Sequence, residues 1–174
     1  NITIAERNLW QSFTASLGIQ RRVSRNGELN AGINYLYYEN GNPSRYRVAS
    51  FFKQENHRES SEIDLRKITP IRFFVTRVDY THKAGSALRI DAGGKSVFSS
   101  LDNDVDVQRR ENEIWKHDSS FSSFSVLSER IYAAYLSLKW RVIEGFNINT
   151  GLRYEHTATD ITSPVREEEV NRKY

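Results

Sequence analysis

Apolar and polar residues alternate along two neighbouring segments, 131–142 and 146–157, of this 174-residue chain. In the first segment one set is Tyr132, Ala134, Leu136, Leu138, Trp140 and Val142, and the other is Ala133, Tyr135, Ser137, Lys139 and Arg141. Successive side chains of a β-strand point to opposite faces, so this period of two predicts strands with one apolar face. Only Ile143, Glu144 and Gly145 separate the segments. The pattern therefore predicts a tight β-hairpin with strands of about 10 to 12 residues.

Two further hairpins are predicted upstream by the same alternation. Segments 74–81 and 88–95 flank the turn Ala84-Gly85-Ser86, and segments 13–19 and 29–37 flank the turn at 24–27. The second turn contains Asn26-Gly27, the dipeptide that most strongly signals a β-hairpin. Segment 44–71 also has an extended pattern, but Pro70 and the charged residues 57–59 leave its strand register open.

Composition narrows the class of protein. Hydrophobic residues make up 38% of the chain, and no segment approaches the roughly 18 consecutive apolar residues of a membrane-spanning helix. A membrane β-barrel is compatible with this composition, because its alternating strands average to a polar mixture. The 25 basic and 22 acidic residues are spread along the chain, which argues against a nucleic-acid-binding protein. The 3 Trp, 9 Tyr and 9 Phe argue against intrinsic disorder.

The predicted connections are short at one end of the strands and long at the other. The three turns are short, whereas 101–123 and the tail from Ala158 onward are predicted as long polar connections. This asymmetry is typical of outer-membrane barrels, in which apolar sets face lipid and charged sets face a watery lumen. The predicted aromatic girdle consists of Trp10, Tyr35, Tyr37, Trp140 and Tyr154. A soluble β-sandwich is the alternative, although its strands usually have about 5 to 6 residues.

Several segments resemble a known family. Residues 128–136 (SERIYAAYL) and 150–157 (TGLRYEHT), together with 78–81 (VDYT) and 90–95 (IDAGGK), are similar to the C-terminal barrel of TonB-dependent outer-membrane receptors. The resemblance is to the outer-membrane β-barrel family of the Bacteroidetes type, and it extends over residues 73–157. It implies an outer-membrane location in a Gram-negative bacterium.

The resemblance also implies a non-enzymatic importer: a 22-stranded barrel filled by an N-terminal plug. Such a receptor takes up siderophores, cofactors, glycans or peptides, with energy delivered by TonB through a box ahead of the plug. Neither plug nor box is recognisable in this sequence. Residues 1–174 are therefore expected to form a single domain, an all-β antiparallel meander of long hairpins that is a partial segment of a large transmembrane β-barrel. The alternative is a small barrel of about eight strands that closes on itself.

The expected partners follow from that interpretation. They are outer-membrane lipid, the TonB system through the absent plug, and a small nutrient ligand. The fragment is also expected to self-associate through its apolar face or its unpaired strand edges.

Charged residues on the polar faces are the first candidate site. Arg89, Asp91, Lys95, Arg153 and Glu155 are expected to face the lumen, where they would hold the plug or line the substrate path. Arg153 and Glu155 share a face two residues apart, so they are predicted to form an ion pair.

The predicted connection 101–123 contains the other candidates. Loops on a rigid scaffold often carry recognition, so a ligand-capturing role is predicted for Arg109, Arg110, Trp115, Lys116 and His117, with a solvated loop as the alternative. Asp102, Asp104, Asp106 and Glu113 have the spacing of oxygen ligands in a calcium loop, although Val107 occupies the position that needs Gly. A solvated acidic segment is the alternative, and calcium is the only cofactor considered.

No catalytic set is visible in the sequence, so the protein is predicted not to be an enzyme. The rival function is a soluble all-β cell-surface binding module of the carbohydrate-binding or adhesion type. An all-β hydrolase is a third, less supported alternative.

Overall fold

The computed structural model describes residues 2–52, 57–111, 113–163 and 170–173. These residues form nine β-strands: β1 (Ile2–Glu6), β2 (Leu9–Arg22), β3 (Gly27–Phe52), β4 (His57–Ala84), β5 (Leu88–Glu111), β6 (Ile114–His117), β7 (Ser123–Ile143), β8 (Phe146–Thr162) and β9 (Val170–Lys173). Across those ranges, no helix is long and apolar enough to cross a membrane.

All nine strands belong to one antiparallel sheet. The strand order is β1-β3-β4-β5-β7-β8-β9, with β2 also paired to β3 and β6 also paired to β5. Strands β1 and β2 follow each other along one edge of β3, since Ile2 pairs with Val48 and Leu9 with Gly41. Over the described ranges the two outer edges do not pair with each other, so the sheet is open. The predicted antiparallel meander of long hairpins, a part of a larger barrel, is confirmed.

The three predicted hairpins are present and turn at the same end of the sheet, which we name the short-turn end. The residues that close them are Arg22 with Glu28, Ala84 with Leu88, and Ile143 with Phe146. Gly85 and Gly145 have φ of 70° and 80°. This left-handed conformation is accessible to glycine without steric cost, which explains glycine in these turns.

The strands are much longer than the predicted 10 to 12 residues. Strands β3, β4 and β5 contain 26, 28 and 24 residues. The segment 44–71, whose register the sequence left open, lies within β3 and β4, with Ser44 opposite Leu65. The β4–β5 pairing is interrupted between Ile68 and Ile71. Pro70 lies in this gap, and proline has no N–H to donate to a neighbouring strand.

The predicted long connection at 101–123 is wrong. Strand β5 continues to Glu111, β6 folds back against it, and the strand pairing resumes at Ser123. Charged residues there suggested a loop, but Asp102, Asp104 and Asp106 occupy one face of an extended strand. The predicted tail is wrong in part, because β8 continues to Thr162; residues 164–169 lie outside the described residues.

The sheet is a single layer. The buried apolar residues among those described are Val107, Ala133 and Ala158. A β-sandwich buries one face of each sheet against a second sheet, and the described strands form only one. The architecture therefore disagrees with the sandwich alternative.

Candidate functional site

The strand register places the alternating apolar sets of β2, β3, β4, β5, β7 and β8 on one face, which we name the outer face. Leu136 lies opposite both Ala92 and Leu152, and Ala31 lies opposite Ile19 and Val78. Large apolar side chains on this face are strongly exposed, with 81% for Leu152 and 74% for Leu17. A contiguous apolar surface of this kind marks contact with lipid or with another protein.

The apolar part of the outer face, named the outer band, has the height of a bilayer core. On β5 it extends from Leu88 to Phe98. At about 3.3 Å per residue this segment is about 33 Å long, and a strand tilt of about 40° reduces its height to about 25 Å. Outer-membrane barrels present an apolar band of about 25 Å.

A row of aromatic side chains limits the outer band on the side away from the short-turn end. Tyr35, Phe74 and Phe98 lie opposite one another on adjacent strands. The row continues at both sides, with the Phe13 ring 6.5 Å from Tyr35 and the Tyr132 ring 5.8 Å from Phe98. Aromatic girdles of this kind lie at membrane interfaces.

The predicted girdle residues divide between the two faces. Tyr35, Tyr37 and Tyr154 lie on the outer face near the aromatic row, and Trp140 lies on that face near the short-turn end. Trp10 pairs with Asn40 and therefore lies on the opposite face. Alternate residues of a strand point to opposite faces, so the place of Trp10 in this alternation determines its face, and its distance from the strand end does not.

Beyond the aromatic row the outer face becomes charged. The ion pairs Arg72–Asp102 and Arg130–Asp160 have N···O distances of 2.7 and 2.5 Å. Farther out, Arg110 and Arg47 both donate to Glu62. These two hydrogen bonds hold the pKa of the Glu62 carboxyl below its ordinary value of 4.5. The change from apolar to charged residues within a few positions defines the margin of the outer band.

The other face, named the inner face, carries all five predicted lumen residues. Arg89 donates to Asp91 at 2.9 Å, and Thr81 donates to the same carboxylate at 2.7 Å. The predicted Arg153–Glu155 ion pair is confirmed at 2.8 Å. Lys95 lies directly opposite Arg77 and forms no ion pair with a described residue. The inner face at the level of the outer band is therefore charged and hydrogen-bonded.

A contact across three strands on the inner face was not evident from the sequence. Asp79, Gly93 and Tyr135 are directly opposite one another on β4, β5 and β7. The Tyr135 ring crosses Gly93, and its hydroxyl donates to Asp79 at 2.7 Å. A Cβ atom on Gly93 would lie 2.5 Å from the Tyr135 ring. Glycine is required here because the tyrosine occupies the space of a side chain.

The polarity of both faces reverses beyond the aromatic row. Just beyond the row the outer face is charged, while the inner face carries Leu36, Ile71, Phe73, Leu101 and Leu127, all at least partly buried. Where the two patterns meet, consecutive residues are both apolar, as at Phe73-Phe74, Val97-Phe98 and Ile131-Tyr132. These pairs were the sequence signal for the reversal.

The predicted ligand-capturing residues lie in the paired β5–β6 hairpin rather than in a loop. Arg109 pairs with Asp118 at 3.2 Å and Arg110 with Glu62 at 3.0 Å. The Arg45 guanidinium lies 5.7 Å from the Trp115 ring centre. His117 contacts Asp106 at 2.9 Å, and Lys116 lies opposite Arg109. This hairpin lies on the side of the aromatic row away from the short turns, and β3 and β4 extend beyond it to Phe52 and His57.

The candidate calcium ligands are not brought together. Asp102, Asp104 and Asp106 alternate along β5, which separates successive side chains by about 6.6 Å. Asp102 pairs with Arg72 and Asp106 with His117, while Glu113 lies beyond the end of β5. The described part of the chain contains no group of three or more acidic or histidine side chains placed to hold a metal ion. These residues therefore do not adopt the wrapped conformation of a calcium loop.

Comparison with known proteins assigns the family. No curated protein matches the chain. One similar solved structure is FpvAI in complex with pyocin S2, with a TM-score of 0.41, 9% sequence identity and 95% of this chain covered. A second is P. aeruginosa FpvA bound to heterologous pyoverdines, with a TM-score of 0.40, 8% identity and 95% of this chain covered. A third is the alcaligin outer-membrane receptor FauA of Bordetella pertussis, with a TM-score of 0.32, 12% identity and 98% of this chain covered. This chain spans about a third of each of them, 33%, 32% and 33%. The model of the outer membrane protein beta-barrel family matches residues 21–174. The chain therefore belongs to this family, whose members lie in the outer membrane of Gram-negative bacteria.

Proposed function

We propose that this chain is a barrel segment of a TonB-dependent importer, a non-enzymatic receptor that captures a small nutrient ligand at the cell surface. The family membership and the resemblance of residues 73–157 to the receptor barrel support this. The Bacteroidetes-type subgroup, the plug and the TonB system belong to the same proposal, and outer-membrane lipid would cover the outer band.

The observation that carries the proposal is the height of the strands beyond the outer band. A strand needs about 9 to 11 residues to cross a bilayer. Strand β4 has 28 residues, His57–Ala84, and its part beyond the aromatic row runs from Phe73 to His57. The wall beyond the band is charged outside. Its inner lining is apolar next to the aromatic row, at Ile71, Phe73 and Leu101, and mixed farther out, where Lys67 and Asn103 lie on the same face. A tall wall whose lining is apolar at its base forms a vestibule for a ligand above the membrane.

The inner face at membrane level has the properties of a plug-binding or substrate-path surface. Arg89, Asp91, Lys95, Arg153 and Glu155 present charged groups to the lumen, and their neighbours hold two of the carboxylates in place. Charge-assisted hydrogen bonds from such groups orient a polar partner more strongly than neutral ones do.

Cysteine labelling is expected to show that the far end of the sheet is outside the cell. The chain contains no Cys, so Asp104→Cys and Glu144→Cys would each carry one thiol within this segment. Asp104 lies beyond the aromatic row, whereas Glu144 is exposed in a short turn. Glu144 is preferable to Gly145, whose φ of 80° disfavours any other residue.

With a membrane-impermeant thiol reagent, Asp104→Cys should react on intact cells and Glu144→Cys only after permeabilisation. The measurement is made in the complete protein that carries this segment, and its unmodified form controls for other thiols. Equal reaction of both variants on intact cells contradicts a barrel that spans the membrane.

Excision of residues 108–117 tests the receptor role of the β5–β6 hairpin. The Asp118 N–H donates to the Val107 carbonyl at 2.8 Å, so the two ends can be joined with little movement of the remaining strands. Growth of the parent strain is measured on ferric siderophores, cobalamin, oligosaccharides and peptides. We expect the parent strain to grow on at least one of these nutrients in a TonB-dependent manner. In the strain that carries the excised protein, the uptake rate of that nutrient should fall by about tenfold or more.

Surface labelling of Asp104→Cys in the excised protein controls for assembly. Normal assembly with lost uptake supports the capture role. Normal assembly with unchanged uptake shows that the hairpin does not capture the ligand, and absence of TonB-dependent uptake in the parent strain contradicts the importer.

A further inference from the structure

A row of basic side chains crosses the inner face at the short-turn end. Lys83, Arg89 and Lys139 are directly opposite one another on β4, β5 and β7. Their Cα atoms are therefore about 5 Å apart from strand to strand. Arg141 lies two residues beyond Lys139 on the same face and opposite Asn147. Like charges placed directly opposite in a sheet destabilise it, so a bound anion would stabilise this arrangement.

The chain itself supplies little compensation. Arg89 pairs with Asp91 at 2.9 Å. Lys83, Lys139 and Arg141 form no ion pair with any residue in the described ranges. Two carboxylates lie on the inner face near these cations. Asp91 is already bound by Arg89 and Thr81. Glu28, opposite Thr81, accepts from Gln20 and Asn30 and interacts electrostatically with Lys83. Four cations thus face two carboxylates that already have hydrogen-bond partners.

The four basic residues line a concavity. Together with the Gly85–Leu88 turn and Asn147, they surround an open volume of about 360 Å³. Small-molecule sites begin at about 300 Å³. Guanidinium and ammonium groups both bind phosphate and carboxylate oxygens, and arginine can do so with two parallel hydrogen bonds.

We infer that this concavity is a binding site for a small anion with at least two phosphate or carboxylate groups. The site lies at the mouth of the barrel on the short-turn side, which faces the periplasm in outer-membrane barrels. The inference requires the barrel but not the importer role, so its test does not depend on uptake.

The test uses pyrophosphate and the complete protein purified in detergent. Binding is measured by titration calorimetry in about 20 mM salt, where surface electrostatics are weakly screened.

The Lys139→Gln/Arg141→Gln variant should bind pyrophosphate at least about tenfold more weakly, since each charge-assisted hydrogen bond lost has an effect of that order. The control Arg21→Gln/Arg25→Gln removes the same charge at the same end of the sheet, with Arg21 on the outer face. Its affinity should change less than about twofold.

Each result has a defined meaning. Loss of pyrophosphate binding in the inner-face variant alone supports the site, and Lys139→Gln provides a milder test if the double variant does not fold. Absence of binding by the unmodified protein, or equal binding by both double variants, overturns it. A third result is that pyrophosphate does not bind, while Lys139→Gln/Arg141→Gln lowers the melting temperature more than Arg21→Gln/Arg25→Gln does. In that case carboxylates of the polypeptide inside the barrel pair with these cations. This result also overturns a small-anion site.

Discussion

Leu136→Arg is expected to lower the free energy of unfolding by about 2–4 kcal/mol when the protein is folded in a bilayer. Leu136 lies in the middle of the outer band, opposite Ala92 and Leu152. Its side chain is 46% exposed on the isolated sheet. An arginine at such a position in water would change stability by only about 0.5 kcal/mol, but in lipid the guanidinium has no water or anion to solvate it.

Ser137→Arg is the matched control for this prediction. Ser137 is the next residue of β7, lies on the inner face and is opposite Asp91. An arginine there meets water and a carboxylate, so we expect a change below about 1 kcal/mol. The measurement is the urea midpoint of protein refolded into phospholipid vesicles. Equal effects of the two substitutions would show that the outer band does not face lipid, and would favour the soluble binding module.

Gly93→Ala is expected to destabilise the protein by about 1–3 kcal/mol, the usual cost of overpacking. The new Cβ would lie 2.5 Å from the Tyr135 ring and 2.6 Å from the Asp79 carboxylate. Tyr135 would have to move, and its hydrogen bond to Asp79 would be lost. Gly94→Ala is the control, because its Cβ would meet only the Ala133 carbonyl at an ordinary 3.5 Å. We expect a change within about 0.5 kcal/mol there.

A double-mutant cycle identifies the cause. In a Tyr135→Ala background the ring is absent, and the Asp79 carboxylate, no longer held by the tyrosine hydroxyl, can rotate away from the new Cβ. Gly93→Ala should then cost less than about 0.5 kcal/mol. The urea midpoints of the four proteins give the coupling energy. If Gly93→Ala costs the same with and without the ring, the backbone of β5, and not the tyrosine, requires the glycine.

Local patterns in the sequence were sufficient for the hairpins and for the choice of face. Alternation with a period of two assigned 131–142 and 146–157 to paired strands, and it placed Arg153 beside Glu155. These features depend on residues that are close in the sequence and on the geometry of an extended chain. The same reasoning correctly separated the apolar set containing Leu136 from the charged set containing Arg89.

Local sequence patterns gave a wrong prediction where a polar segment was predicted to be a loop because of its polarity alone. Asp102, Asp104 and Asp106 alternate with uncharged residues because this part of β5 passes beyond the outer band, where the outer face of the strand is in water. The strand continues because its backbone pairs with β4 and β7, and neither partner is visible in the segment itself. The pairing with these neighbouring strands is what shows that β5 continues at the point where the polarity of its two faces reverses.

The sequence by itself therefore determined the strand pattern, the turns and the apolar face, since each arises from residues within one hairpin. The tertiary structure decided which distant residues meet. Asp79 and Tyr135 are 56 residues apart, and Lys83, Arg89 and Lys139 come from three strands. Antiparallel register fixes these contacts, because a shift of one residue would move every side chain to the other face.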